Sequence, residues 1–252
     1  MVEERPFIVY RQENRNAKPK YERYSVPITP GMTVLEALYY IQDYYDSNFA
    51  FRYSCRGAIC GACGVTINKF PQLACKTQVS TISGIKKHPR VPELVFGEVP
   101  EDWDPENEIL VEPLPNMEVI KDLIVDMELF WKFYREIQPY FIRGWKDIPP
   151  ESKQEAAEIK SIEHLVYCIL CGLCWTCPVE AKNKNYLGPA QLAKADRFIA
   201  DTRLSKEHRD KIIKRVAKED GVPACEKIFA CNAVCPKGVQ PGTAIQRIRK
   251  IL

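Results

Sequence analysis

Eleven cysteines in a chain of 252 residues constrain the fold of this sequence more than any other feature. An odd number of cysteines cannot be paired completely into disulfides within one chain, and the N-terminal MVEERPF lacks the apolar core of a signal peptide. We therefore expect a reducing compartment and thiols that serve metal or redox chemistry. The cysteines form three groups along the sequence: Cys55, Cys60, Cys63 and Cys75; Cys168, Cys171, Cys174 and Cys177; Cys225, Cys231 and Cys235.

The first group has the spacing C-x4-C-x2-C-x11-C, which matches the plant-type two-iron ferredoxin pattern with its distant fourth thiolate. Small residues in the segment GAICGACG would let backbone amides approach the sulfurs and tune their reduction potential. We predict Cys55, Cys60, Cys63 and Cys75 as ligands of a 2Fe-2S cluster. A zinc site is the alternative, although zinc knots prefer paired C-x2-C elements and only Cys60 and Cys63 form such a pair.

The second and third groups resemble the bacterial run C-x2-C-x2-C-x3-C-P, in which the last cysteine serves the other cluster. In the third group, Ile228 stands where the second cysteine of this run belongs, and an apolar side chain cannot bind iron. That cluster would lack one thiolate, so a three-iron cluster with three cysteine ligands is the simplest expectation.

These patterns account for every cysteine. We predict Cys168, Cys171, Cys174 and Cys235 as ligands of a 4Fe-4S cluster, and Cys177, Cys225 and Cys231 as ligands of a 3Fe-4S cluster. The gap before Cys177 is one residue shorter than in the bacterial run, so the turn at Trp175 and Thr176 must absorb the difference. Two independent zinc sites are the alternative, but none of the three histidines lies next to the third group in the sequence.

The first hundred residues predict a strand-rich domain with one helix. Segments 6–12 and 20–28 are rich in aromatic and β-branched residues and predict a hairpin. Thr33 and Glu36 form a capping-box pattern at the start of a helix whose apolar face comprises Val34, Leu35, Leu38 and Ile41. Cys75 falls in the strand-like segment 72–82.

The remainder predicts helices. Four amphipathic segments, 119–141, 188–203, 206–220 and 243–252, have helical periodicity. Residues 97–116 contain four prolines and predict a linker or an irregular crossing segment. The prediction is an α+β protein with a two-iron ferredoxin-like domain at 1–115 and a helical domain at 116–252 that binds the four-iron and three-iron clusters.

Composition limits the range of functions. The net charge of +3, without a long block of one sign, argues against a nucleic-acid partner. The longest uncharged segment, residues 165–179, is shorter than the roughly 20 residues that span a bilayer. We find no dinucleotide-binding or phosphate-binding glycine motif and no nucleophile–base arrangement, so no catalytic residues are predicted on this chain. Three clusters without an organic cofactor favour an electron carrier whose partner holds the cofactor.

Several long motifs together resemble the iron–sulfur subunit of succinate dehydrogenase and fumarate reductase, the complex II family. The resemblance covers most of the chain: SCRGAICGACGV, LACKTQV, VIKDLIVDMELFWKFYREIQPY, YCILCGLCWTCP, YLGPAQL and CPKGVQPGTAIQRI. It implies an N-terminal plant-type (β-grasp) two-iron ferredoxin domain and an all-helical, bacterial-ferredoxin-like second domain.

The resemblance also implies partners and a location. Electrons would pass between an FAD-containing catalytic subunit, which interconverts succinate and fumarate in the tricarboxylic acid cycle, and a membrane quinone. The quinone would lie where this chain meets membrane anchor subunits, with or without haem b. The chain would then be peripheral to the cytoplasmic side of the inner membrane.

Two residues on the quinone side depart from the family pattern. Lys182 stands where succinate dehydrogenases typically carry a tryptophan, and Glu226 stands where a histidine is common, whereas Pro178 matches. We predict Pro178, Lys182, Glu226 and Ile228 as residues of the quinone side or of the cluster environment. The altered pair favours, as an alternative, the same electron carrier in a fumarate reductase-like flavoenzyme complex with a non-quinone donor; a zinc-stabilised protein without redox function is the remaining alternative.

Overall fold

The computed structural model describes residues 3–85, 88–89, 91, 100–141 and 151–252. Contacts group the chain into two units, the first comprising Met1–Met127 with Ile169–Thr176 and the second Glu128–Cys168 with Cys177–Leu252. The predicted domain boundary near residue 115 therefore lies N-terminal to the point at which the contacts divide.

A five-stranded mixed sheet forms the core of the first unit. Its strands are β1 (Glu4–Arg11), β2 (Lys20–Pro27), β3 (Gly64–Ile67), β4 (Phe70–Leu73) and β5 (Ile109–Glu112). Their order across the sheet is β2-β1-β5-β3-β4, with β1 and β5 parallel and the other neighbours antiparallel. The predicted hairpin is confirmed as β1 and β2.

The central strand lies in the proline-rich segment, where the sequence predicted irregular structure. Ile109, Leu110 and Val111 are fully buried because β5 is covered on both faces and pairs with β1 and β3. The prediction for residues 97–116 is wrong over these residues, and 97–99 lie outside the described part. A short run of β-branched and aliphatic residues has a strong strand preference, even between prolines.

Helix α1 (Val34–Tyr44) follows β2 and confirms its predicted start. The Thr33 hydroxyl accepts a hydrogen bond from the Glu36 backbone N–H, and the Glu36 carboxylate accepts one from the Thr33 N–H. This capping box satisfies two of the otherwise unpaired amides at the helix N-terminus. The four predicted apolar side chains, Val34, Leu35, Leu38 and Ile41, are all buried.

Residues 119–125 form a second, smaller sheet rather than the start of a long helix. Strands β6 (Val119–Lys121) and β7 (Ile124–Val125) pair through a turn in which Asp122 has a φ of 45°. Helix α2 (Glu128–Glu136) begins only after this hairpin. The prediction of one helical segment over 119–141, and of an all-helical segment 116–252, is therefore wrong here. The Asp122 carboxylate favours the hairpin because it accepts backbone hydrogen bonds from Gln12, the residue after β1, and from Ala50.

An ion network centred on Arg11 ties this hairpin to the main sheet. The guanidinium donates to Asp122 Oδ1 at 3.1 Å, to Asp46 at 2.6 Å and to Glu22 at 2.8 Å. Asp122 Oδ2 accepts from the Ala50 backbone N–H at 2.9 Å. A buried carboxylate without such partners would be costly. The network therefore holds Ala50, in the segment that leads to the first cysteine group, against Asp122.

The described residues of the second unit form helices joined by short connections. These are α2, α3 (Ala156–Val166), α4 (Pro178–Lys182), α5 (Pro189–Ile199), α6 (Lys206–Val216), α7 (Ala230–Ala233) and α8 (Pro241–Arg249). The predicted helices in 188–203, 206–220 and 243–252 are confirmed as α5, α6 and α8. Helix α5 is the centre of this unit, packing against α3, α6 and α8. Among the described residues, no helix has the length and apolarity required to cross a membrane.

We predict that Arg11→Met lowers the free energy of unfolding by about 3–5 kcal/mol, because it leaves the buried Asp122 carboxylate without its cation. Arg15→Met is the matched control: it also breaks ion pairs to the β6–β7 region, but its side chain is 43% exposed against 9% for Arg11. We expect the control to cost about 0–1 kcal/mol. Guanidinium unfolding of both variants measures the difference, and equal losses would contradict the role of the network.

Candidate metal centres

Backbone amides surround the sulfurs of the first cysteine group. Residues 55–63, which we call the two-iron loop, lie between α1 and β3. The Cys55 sulfur accepts hydrogen bonds from the backbone N–H groups of Gly57 at 3.4 Å, Ile59 at 3.3 Å and Cys60 at 3.2 Å. The Cys75 sulfur accepts one from Ala58 at 3.2 Å. The loop therefore presents a set of donors to negatively charged sulfur, as cluster ligands require.

Unusual backbone angles produce this arrangement. Arg56, Ala58 and Gly61 have φ values of 54°, 57° and 76° in the two-iron loop. Such angles are uncommon for residues with a side chain and turn successive N–H groups toward one point. The Arg56 guanidinium lies 4.9 Å from the Tyr39 ring centroid, a cation–π contact that holds the loop against α1.

The fourth thiol of this group follows a strand rather than lying within it. Cys75 comes just after β4 and donates its backbone N–H to the Cys63 sulfur at 3.5 Å. Within the predicted strand-like segment 72–82, the strand ends at Leu73, and the chain continues through a turn to the short 3₁₀ segment Val79–Thr81. Ligands from a loop and from the turn after β4 are held by one sheet.

The thiols of the group differ in their electrostatic environment. Hydrogen bonds from the amides of Gly57, Cys60 and Ile59 lower the pKa of the Cys55 thiol to about 6. Burial raises the pKa of Cys63 to about 12. An exposed thiolate at Cys55 and a protonated thiol at Cys63 are therefore expected at neutral pH before any metal binds, since binding releases the thiol protons.

The two-iron loop touches the second cysteine group within the first unit. A Cβ built at Gly61 would lie 2.7 Å from the Cys171 Cβ and 2.9 Å from its Cα. Real Cβ atoms do not approach so closely, so only glycine fits at this position. The carbonyl oxygen of Cys171 likewise lies 3.2 Å from a Cβ built at Gly64.

The segment Ile169–Thr176 ends in a tight turn. Leu173–Thr176 form a short 3₁₀ segment, in which the Thr176 hydroxyl donates to the Leu173 carbonyl at 2.7 Å. The Asn116 side chain donates to the Trp175 carbonyl at 3.1 Å, and Trp175 is buried. A 3₁₀ turn has three residues per turn, which suits the short spacing between Cys174 and Cys177.

The predicted four-iron ligands belong to both units. Cys171 and Cys174 lie in the first unit, and Cys168 and Cys235 lie in the second. In the second unit, Cys168 and Cys235 pack against one hydrophobic cluster, formed by Leu165, Ala193, Val239 and Ala244. The Cys235 sulfur accepts a hydrogen bond from the Val239 N–H at 3.4 Å. The four-iron assignment remains a prediction.

The predicted three-iron ligands lie together in the second unit. Tyr186 is almost fully buried, and its pKa is raised well above the ordinary value first by burial and then by the charges of Cys225, Cys177, Cys231 and Glu180. These five side chains are therefore neighbours in one region, which we call the enclosed region because all of them except the half-buried Cys225 are buried. Burial is also the main cause that raises the pKa of Cys177, and that of Cys231 to about 12.

This region also contains a carboxyl group that the sequence analysis missed. Glu180 is 1% exposed, and burial raises its pKa to about 9. It follows Cys177, the N-cap residue of α4, by three positions, which places both on one side of the helix start. The spacing CPVE is a signal that could have identified it, but a single glutamate in a short helix has no periodicity.

The predicted quinone-side residues lie in different environments. Lys182 Nζ and Glu226 Oε2 form an exposed ion pair at 3.4 Å. Pro178 is the first residue of α4, and its fixed φ suits that position. Ile228 is half-buried between Lys227 and Phe229, which both have positive φ.

The donor sets of these arrangements fit iron–sulfur clusters. The two-iron loop and Cys75 supply four thiols with convergent amide donors, and the third region supplies two buried thiols, Cys177 and Cys231, and the half-buried Cys225. Among the described residues, no group of three or more His, Cys, Asp or Glu side chains would hold a single metal ion.

In the cluster-free chain, we predict that Cys55 reacts with iodoacetamide with a rate midpoint near pH 6, because three amides stabilise its thiolate. Cys63 should react slowly up to pH 9, since burial favours its neutral form. Mass spectrometry of each peptide gives both rates. The urea-denatured chain is the control, and there both thiols should titrate near their usual pKa of about 8.5. A Cys55 midpoint equally high in the folded chain would contradict the loop geometry.

We predict that Gly61→Ala destabilises the first unit by at least about 1–2 kcal/mol, because a left-handed alanine is strained and its Cβ meets Cys171. Gly57→Ala is the matched control in the same loop, since its Cβ would meet only the Cys55 carbonyl at 3.6 Å. Thermal unfolding and the EPR signal of the reduced two-iron centre provide two readouts. Equal behaviour of the two variants would refute the close approach.

Comparisons with known proteins agree with these features. Residues 6–132 match the family described as "2Fe-2S iron-sulfur cluster binding domain", and residues 164–239 match the "4Fe-4S dicluster domain". The fold resembles a chain of the Mycobacterium smegmatis Sdh1 complex in its apo form, with a TM-score of 0.81 and 22% identity, covering 100% of this chain and 96% of that one. These matches support iron–sulfur clusters rather than the zinc alternatives.

Curated relatives cover nearly the whole chain. The fumarate reductase iron–sulfur subunit of Mycobacterium tuberculosis is 36% identical over 95% of this chain and 88% of its own length. The mitochondrial succinate dehydrogenase iron–sulfur subunit 1 of Oryza sativa is 34% identical over 97% and 81%. The fumarate reductase iron–sulfur subunit of Haemophilus influenzae is 33% identical over 91% and 85%. The chain belongs to the family of iron–sulfur subunits of succinate dehydrogenases and fumarate reductases.

Proposed function

We propose that this chain is the electron-transfer subunit of a succinate:quinone oxidoreductase-type complex, carrying single electrons between an FAD-containing succinate/fumarate subunit and a membrane quinone. The FAD-containing catalytic subunit and membrane anchor subunits, with or without haem b, are its partners. The chain is peripheral, on the cytoplasmic side of the inner membrane. Succinate and fumarate chemistry takes place on the flavin partner, so this chain needs no catalytic residue.

The convergence of backbone amides on the first cysteine group is the observation that carries this proposal. Seven N–H···S hydrogen bonds of 3.2–3.5 Å link the amides and sulfurs of residues 55–63 and Cys75. Donors to sulfur stabilise the more negative, reduced state and so help to set a redox potential. When bound, the clusters would supply one-electron redox chemistry at positions fixed by these residues.

The proposed ligand sets follow the cysteine groups. Cys55, Cys60, Cys63 and Cys75 hold the two-iron cluster, and Cys168, Cys171, Cys174 and Cys235 hold the four-iron cluster. Cys177, Cys225 and Cys231 hold the three-iron cluster, supported by their shared neighbour Tyr186. We assign a β-grasp ferredoxin fold to the first domain, supported by α1 and by the mixed sheet with its parallel β1–β5 pair. The helices α2–α8 support a bacterial-ferredoxin-like second domain.

A second candidate rests on the exposed ion pair at the expected quinone side. Lys182 and Glu226 present charged, solvated groups where an aromatic ring and an imidazole would line a quinone pocket. This pair favours a fumarate reductase-like complex whose electron donor is not a membrane quinone. The pair has little structural value of its own, because an exposed ion pair contributes about 0–1 kcal/mol.

The purified complex with its partner subunits tests the two candidates. With succinate as donor, we expect reduction both of a quinone and of a dye that accepts electrons at the flavin subunit. Lys182→Ala should change the KM for quinone and leave the dye rate unchanged, because it alters only the acceptor side. Lys184→Ala, which removes another exposed lysine two residues along the chain, should leave both unchanged.

Each outcome tests a different part of the proposal. Dye reduction without reduction of any quinone tried would refute quinone as the acceptor and support the second candidate. Absence of both activities from a complex that contains flavin and iron would refute the succinate/fumarate assignment itself. Unchanged quinone kinetics in Lys182→Ala would remove this residue from the acceptor site.

A further inference from the structure

Glu180 is a buried carboxyl group in the first turn of α4. Both of its carboxyl oxygens are inaccessible to solvent, and neither has a hydrogen-bond partner among the described residues. Buried polar groups are almost always hydrogen-bonded, and a buried carboxylate is costly unless a cation or a metal compensates it. A group left in this state therefore requires an explanation.

The nearby lysines do not supply that compensation. Among the described residues, Lys184 is the one cation whose charge lowers the pKa of Glu180, yet Lys184 is exposed and forms no ion pair with it. Lys182, on the same helix, is paired with Glu226 on the surface. In its ionised form, Glu180 would therefore need a cation inside the enclosed region.

That region is the site of three thiols. Burial and then the charge of Glu180 raise the pKa of Cys177. Burial and then the charges of Cys225, Cys177, Cys231 and Glu180 raise the pKa of Tyr186. Cys177 caps α4, and Glu180 at the third helical position lies on the same side of the first turn. The sequence provides no fourth thiolate, because Ile228 occupies the position of the missing cysteine.

We propose that Glu180 is an oxygen ligand for a fourth metal ion at the site of Cys177, Cys225 and Cys231, so that this site takes up Fe²⁺ reversibly. The inference rests on the proposed three-iron assignment and extends it. Carboxylates are suitable ligands for divalent iron in mixed donor sets. The metal would also supply the positive charge that Glu180 lacks.

The uptake step balances without a further reactant. Glu180 releases its proton to solvent and one of its oxygens binds the incoming Fe²⁺. With the site in its reduced, uncharged three-iron, four-sulfide state, addition of Fe²⁺ gives a four-iron, four-sulfide state of charge +2. No electron is exchanged, and removal of Fe²⁺ by a chelator with return of the proton reverses the step.

The test uses the purified complex under anaerobic conditions, reduced with dithionite and incubated with Fe²⁺. After excess iron is removed and the complex is reoxidised, the three-iron EPR signal and the iron content are measured. In the wild type we expect loss of that signal and a gain of one iron per chain. Glu180→Gln, which keeps the shape but is a poor ligand, should keep the signal and gain none.

Glu207→Gln is the matched control, because it changes an exposed carboxylate on α6 that pairs with Lys211. It should behave as the wild type does. An unchanged two-iron EPR signal in both variants shows that the fold and the other centres are intact. A wild type isolated without the three-iron signal, but with one iron more than Glu180→Gln, would also support the proposal.

Two results would overturn the proposal in distinguishable ways. If the wild type shows the three-iron signal but takes up no iron, or if Glu180→Gln takes it up equally, Glu180 is not a ligand and the proposed function stands. If neither protein shows a three-iron signal and their iron contents are equal, the three-iron assignment itself fails, and this inference fails with it.

Discussion

Hydrogen bonds from backbone amides to sulfur are the interaction on which the rest of this structure depends. The negative charge of a thiolate needs compensation, and the two-iron loop provides it with backbone amides. The positive φ angles of Arg56, Ala58 and Gly61 turn those amides inward. Such a loop is strained, so the neighbouring sheet and helix must hold it in place.

Three features of the first unit meet this need. The Arg11 network fixes the hairpin of β6 and β7 and also Ala50, which lies five residues before the loop. The Arg56 contact with Tyr39 holds the loop to α1. The absent side chain at Gly61 lets Cys171 approach the loop backbone. Each acts through position rather than through direct chemistry, which suits a subunit whose function is to hold redox centres.

The third cysteine region follows another strategy. Its thiols Cys177 and Cys231 are enclosed, and burial raises their pKa. Iron binding must therefore supply the charge that makes these thiols ligands. Burial likewise raises the pKa of Glu180, so this carboxyl group also needs a cation before it can act as a ligand. In the first group backbone amides donate to exposed and buried sulfurs alike, whereas in the third region burial raises the pKa of Cys177, Cys231 and Glu180.

Local patterns in the sequence predicted much of this structure. The Thr33 and Glu36 cap, the first hairpin and helices α5, α6 and α8 depend on neighbouring residues and were predicted correctly. The central strand β5 was missed because four prolines around it outweighed a short aliphatic run. The β6–β7 hairpin was missed because Asp122 acts through partners distant in sequence. Glu180 was missed because burial of one carboxyl group leaves no pattern in the sequence.

The ligand assignment of Cys177 is the central claim, since the gap before it is one residue short. EPR of the purified complex carrying Cys177→Ser, compared with Cys235→Ser, tests it directly. The account predicts that Cys177→Ser alters or abolishes the three-iron signal and preserves the four-iron signal, and that Cys235→Ser does the opposite. A Cys177→Ser complex with an intact three-iron signal and a lost four-iron signal would contradict it.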